Sequence, residues 1–127
     1  MSIHKKNEFW KIIGLSFNFK NTYKTNVLST GSGSILYSTP ALKVSVLLEI
    51  DVANTSTDNI TADVVVDDSA NSGDAIIYLV KGAPIPANGT IKIINGQKLI
   101  LNAGQLLKVK VDAVNAADCI VSLLEDA

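Results

Sequence analysis

Few side chains in this sequence are suited to chemistry, and their spacing decides what they can do. A Ser-His-Asp or Cys-His arrangement has to use His4, the one histidine among 127 residues, which sits in the terminal run Ser2-Ile3-His4-Lys5-Lys6. A general base must be held within hydrogen-bond reach of its proton, and a chain terminus does not supply that positioning. One histidine and one cysteine (Cys119) cannot provide the four N or S ligands of a structural zinc site, nor can one cysteine close a disulfide within the chain. Cys119 lies in the apolar run Cys119-Ile120-Val121 and reads as a small buried hydrophobe.

Two acidic groupings remain. Glu49 and Asp51 are two residues apart on a period-two segment, so they share a face, as the paired acids of a glycosidase do. Their apolar neighbours take the opposite face, which turns the pair toward solvent or an interface, away from a pocket that would raise one pKa. Asp67-Asp68-Ser69-Ala70-Asn71-Ser72-Gly73-Asp74 offers enough oxygen for calcium but lacks the spacing and terminal Glu of an EF-hand. The same residues are those of an ordinary strand connection. No glycine-rich phosphate cradle is present. The expectation is a protein with no catalytic residues, no cofactor and no metal site, hence not an enzyme.

The elements that carry these residues read as β throughout. Strand-type runs occupy Thr22 to Ser29, Ile35 to Tyr37, Leu42 to Val52, Ile60 to Val66, Ala75 to Lys81, Thr90 to Ile94, Lys98 to Leu101, Gln105 to Val111 and Cys119 to Leu124. Leu42, Val44, Val46, Leu48, Ile50 and Val52 alternate with polar residues and are expected on one buried face, and Ala75 to Lys81 is expected as a buried strand around Ile76, Ile77, Tyr78, Leu79 and Val80. Asn95-Gly96 suits a type I′ hairpin, and Gly82 to Gly89, with Pro84 and Pro86, reads as an extended crossing. About eight short strands with turn signals every 8–12 residues predict an all-β fold, an antiparallel β-sandwich with jelly-roll or Ig-like Greek-key connectivity.

The first twenty residues differ. They hold all three phenylalanines and the one tryptophan, and Leu15, Phe17 and Phe19 alternate with Ser16, Asn18 and Lys20. The expected organisation is an N-terminal arm over 1–20 and a β-sandwich domain over 21–127. Phe9, Trp10, Phe17 and Phe19 are the expected partner-binding residues, because aromatic side chains concentrate at interface centres. Eleven lysines, no arginine and a net charge of −1 argue against nucleic acid as a partner, and no apolar run is long enough for a membrane helix. The terminus lacks the apolar stretch of a secretory signal.

The stretches Leu47-Leu48-Glu49-Ile50-Asp51-Val52-Ala53-Asn54, Thr61 to Ser69 and Ile77-Tyr78-Leu79-Val80-Lys81-Gly82-Ala83-Pro84-Ile85-Pro86 resemble small virion structural proteins of tailed bacteriophages. Gly89 to Ile94, Gln97 to Leu101, Ala103 to Val109 and Ile120 to Glu125 extend the likeness over Lys20 to Glu125, with Gly104-Gln105 where that family usually has Gly-Asp. The resemblance implies a capsid decoration (cement) protein located in the virion and made in the host bacterial cytoplasm. It implies as partners the chain itself, as a homo-oligomer with a trimer as the expected form, and the major capsid protein or another virion protein. A neck, tail or fibre component of the same particle, or a carbohydrate-binding host-recognition module, is the alternative.

Overall fold

Runs of Val, Ile and Thr, broken by Gly, Pro and Asn at intervals too short for helices, commit this chain to extended structure. A computed structural model describes residues 17–73 and 75–126. Its strands are β1 (Phe17–Lys24), β2 (Ser34–Ser38), β3 (Ser45–Asn54), β4 (Ile60–Asp67), β5 (Ile76–Ile85), β6 (Thr90–Leu101), β7 (Leu106–Val111) and β8 (Ala117–Asp126). A single helical turn, α1 (Ser69–Ser72), lies between β4 and β5.

The strands form two four-stranded antiparallel sheets, β1-β8-β3-β6 and β2-β7-β4-β5. That order is the eight-stranded jelly roll of two interleaved Greek keys, so of the two expected connectivities the Ig-like one is set aside. Between the sheets lies an apolar core that includes Leu47, Ile50, Val64, Leu107, Val109, Val121 and Leu123, each fully buried. Burying each such side chain contributes roughly 1.5–3 kcal/mol.

Two buried polar residues pin the ends of β3. At one end the Tyr37 hydroxyl, on β2, donates to Glu125 Oε2 on β8 and lies 2.7 Å from Ser45 Oγ, which joins the two sheets. At the other end Asn54 Nδ2 donates to the Asp58, Ile85 and Pro86 carbonyls at 2.7, 3.0 and 3.2 Å and fixes the crossing from β5 to β6.

The β3 alternation departs from the sequence pattern. Ser45 and Leu47 point inward, and then the register with both β8 and β6 slips between Leu47 and Glu49. Leu48 is the extra residue of a bulge, which inverts the parity so that Ile50, Val52 and Asn54 face the core. Val44 and Val46 therefore lie on the outer face. Leu42 precedes the strand altogether, in a turn closed by Lys43 N donating to the Pro40 carbonyl at 3.3 Å.

Three further expectations are corrected. Asn95-Gly96 makes no hairpin: β6 runs through it, with Gly96 at φ 85° inside a wide bulge between Asn95 and Leu99. Ile76, Ile77 and Tyr78 are not buried, because β5 is an edge strand, and it extends through Gly82 and Pro84 to Ile85. The first strand ends at Lys24, short of Ser29, and begins by Phe17, so residues 17 to 20 belong to the sandwich's own sheet.

Candidate interaction surface

Residues directly opposed in antiparallel strands share a face, so the register maps the outer surface of the first sheet. Phe19 of β1 faces Leu124 of β8, Leu124 faces Val46 of β3, and Val46 faces Ile100 of β6. One apolar row thus crosses all four strands on the solvent side, with Phe19 85% exposed and Ile100 60% exposed at its ends. Phe17 and Val44 border it near the same end of the sheet, both only partly covered. The next row is polar: Asn21, Ser122 and Glu49 are opposed across β1, β8 and β3, and Ser122 Oγ donates to Asn21 Oδ1 at 2.7 Å.

The turn leading into this end of β3 displays Leu42, 97% exposed and held at φ 64°. A left-handed backbone costs a residue with a branched side chain about 1–2 kcal/mol, and exposure of leucine gains nothing in a lone domain. A partner that buried the side chain would recover its apolar area against that backbone cost.

Of the residues expected to bind a partner, Phe17 and Phe19 stand on this surface, on edge strand β1. Phe9 and Trp10, like His4, lie outside the described residues. Val46, Leu124, Ile100 and Leu42 were missed as surface residues. For the first three the signal was present in the sequence: Val46-Leu47-Leu48, Leu99-Ile100-Leu101 and Leu123-Leu124 are consecutive apolar residues. On a strand, that means both faces are apolar.

The groups that could do chemistry are engaged structurally. Glu49 and Asp51 do point outward together, but Lys92 Nζ sits 3.2 Å from Asp51 Oδ1 and 3.6 Å from Glu49 Oε2. Asp51 first, then Glu49, hold that ammonium above its usual pKa. In the acidic connection Asp67 is buried, 2.7 Å from Lys108 Nζ, and accepts from Ser69 N and Oγ at 2.9 and 2.5 Å. The lysine, then the serine, bring its carboxyl down to about 2. Asp68 Oδ1 accepts from Asn71 and Gln105 at 3.0 and 3.1 Å, while Asp74 lies outside the described residues. Among the described residues no cluster of His, Cys, Asp and Glu is arranged to hold a metal ion. Burial pushes the Cys119 thiol up to about 11, as expected for a core cysteine.

The tyrosines do not build a sugar platform together. Tyr23 is on the outer face of the first sheet, Tyr78 opposes Val65 on the second, and Tyr37 is in the core. Compared with protein-family models, curated proteins and solved structures, the chain matches none of them.

Proposed function

We propose that the protein is a non-enzymatic virion structural protein of a tailed bacteriophage, a capsid decoration (cement) protein that reinforces the assembled shell. The observation that carries this reading is the apolar row Phe19-Leu124-Val46-Ile100 on the outer face of the first sheet, with Leu42 displayed beside it. Outward apolar residues spanning four strands gain only part of their burial energy in a lone sandwich and are what a docking face requires. The jelly roll itself supports the reading weakly, since that architecture serves capsid proteins and lectins alike. The sequence resemblance over Lys20 to Glu125 adds the particle as the setting.

In such a role each copy contributes a modest contact, and the symmetry of the shell multiplies it. The partners are further copies of the chain and the major capsid protein. A neck or tail component would use the same face at far lower copy number. Densitometry of purified particles against the major capsid protein tests the reading. A decoration protein is present in hundreds of copies, a dozen or so moves it to the neck or tail, and absence from the particle overturns the virion assignment.

A further inference from the structure

Val65 departs from what its strand position dictates. It points to the outer face of the second sheet, between Asp63 and Asp67, yet it is only 8% exposed and takes no part in the core between the sheets. What buries it is a cup built on the sheet's own surface. Tyr78 of β5 and Lys108 of β7 are directly opposed to Val65 on either side, and Ile76 stands beside Tyr78. Gly31 and Ser32, in the turn before β2, add a further wall. That turn is seated on β7: a Cβ at Gly33 would lie 2.4 Å from the Val109 carbonyl oxygen, so only glycine permits the approach. Lys108 Nζ reaches Ser32 Oγ at 3.2 Å and Asp67 Oδ2 at 2.7 Å, which leaves its side chain 12% exposed. Lys81 Nζ lies 5.0 Å from the Tyr78 ring centroid and is not part of the cup, so it braces the ring from outside. The cup encloses about 170 Å³.

The charges of the cup cancel. Asp67 offsets Lys108, and one group of each sign remains, Asp63 and Lys110. These two are directly opposed on β4 and β7 and both half-buried, yet they form no ion pair with each other. Asp63 Oδ1 accepts instead from Gly82 N at 2.7 Å. The carboxylate keeps acceptor capacity at Oδ2 and the ammonium keeps its donors. The same pair lines an adjoining cavity of about 320 Å³ with Thr61 and Asp112, so the two cavities meet there. Together they fall within the roughly 300–1,000 Å³ of small-molecule sites.

We propose that this groove binds an uncharged oligosaccharide, with one sugar ring stacked on Tyr78 above Val65 and the next hydrogen-bonded between Asp63 and Lys110. The C–H face of a pyranose carries partial positive charge and complements the negative face of an aromatic ring. A sugar hydroxyl both donates and accepts, so it bridges a carboxylate and an ammonium that do not meet. A phosphate or carboxylate would find Lys108 already paired and Asp63 repelling it. The groove and the apolar row lie on the outer faces of different sheets, which point in opposite directions. A chain docked through the row therefore presents the groove to solution. The proposal needs only the chain itself and stands independently of the virion reading.

Amide-resolved NMR titration of the full chain tests it. The probes are triacetylchitotriose, maltotriose, mannotriose and galactotriose, with sialyllactose and inorganic phosphate as charged comparisons. At the per-atom efficiency of ordinary ligands a ring or two gives a Kd of about 0.1–10 mM, which sets the concentrations. At least one neutral trisaccharide is expected to shift the Val65, Tyr78 and Lys110 amides saturably. Tyr78→Ala is expected to weaken that binding at least fivefold and Lys110→Met at least threefold, while Tyr78→Phe, which keeps the ring, stays within twofold. Tyr78 is 48% exposed, so the far-ultraviolet circular dichroism should not change with these variants. Tyr23→Ala, on the other sheet, should leave the titration as it was. No saturable shift with any neutral probe, shifts centred away from the groove, tighter binding of sialyllactose or phosphate, or affinity indifferent to Tyr78→Ala would each overturn the proposal.

Discussion

Leu47→Ala should cost about 3–5 kcal/mol of folding free energy, whereas Val46→Ala, one residue earlier, should cost less than about 1 kcal/mol. Leu47 is fully buried before the β3 bulge, flanked in register by Leu99 and Leu123. Truncation removes three carbons at about 0.8 kcal/mol each, and a residual void of about 50–100 Å³ adds about 1–2 kcal/mol more. Val46 loses two carbons that are already half in water, which comes to about 0.8 kcal/mol. In a domain of this size the difference is about 10–20 °C in Tm for Leu47 against no more than about 4 °C for Val46. Urea unfolding followed by circular dichroism at low micromolar concentration reads both, with an unchanged slope confirming that only stability has moved. Equal losses, or a larger loss at Val46, would show that β3 keeps one parity from end to end and that the bulge at Leu48 is wrong.

Tyr37→Phe should lower stability by about 1–3 kcal/mol, because Ser45, fully buried, and Glu125 both lose their partner. Burial, then Glu125, raise the Tyr37 hydroxyl from 10.0 to about 12, so its contribution is complete below pH 10 and is lost as pH climbs toward 12. Asp67 behaves oppositely. Its carboxyl is held below 3.8, at about 2, so the stability it supplies is present above about pH 4 and disappears as pH falls toward 2. After discounting for solvent screening this is on the order of 1 kcal/mol, and Lys108→Met should flatten that acid limb in a pH series of melts. Cys119 should react with a thiol reagent at pH 8 only at the rate of unfolding; rapid labelling of the native chain would contradict its burial.

The β character of the chain was legible because Val, Ile and Thr runs alternate with turn residues on a short repeat, and most strand positions followed from that alone. What a single sequence does not reveal is which partner each strand meets. The bulge at Leu48 arises from the register with β8, so Val46 and Leu47 exchange faces although the alternation Val44, Val46, Leu48, Ile50 suggests otherwise. Asn95-Gly96 has the composition of a hairpin, yet β3 pairs with β6 on both sides of it and absorbs the glycine as a bulge. Ile76, Ile77 and Tyr78 look like core residues because apolarity does not distinguish a central strand from an edge. The interaction surface was half visible: Phe17 and Phe19 stood out as aromatics, whereas Leu124, Val46 and Ile100 become a row only when four strands are laid side by side.

The strand order also governs how quickly the fold can be reached. Among the described strands only β4 and β5 are both consecutive in sequence and paired; every other ladder joins distant segments. The extreme case is β1 with β8, where Lys20 and Glu125 meet across 105 positions of chain. Loop closure must come before such contacts contribute, so refolding should fall in the millisecond-to-second range common to all-β sandwiches. The β4–β5 hairpin is the natural first structure and the β1–β8 ladder the natural last. Until that ladder closes, β8 presents Leu123-Leu124 beside β3 with one side unpaired, an open template for another chain. Yield on refolding should therefore drop with rising protein concentration well before native stability does, because the vulnerable species is the sandwich still missing its first strand.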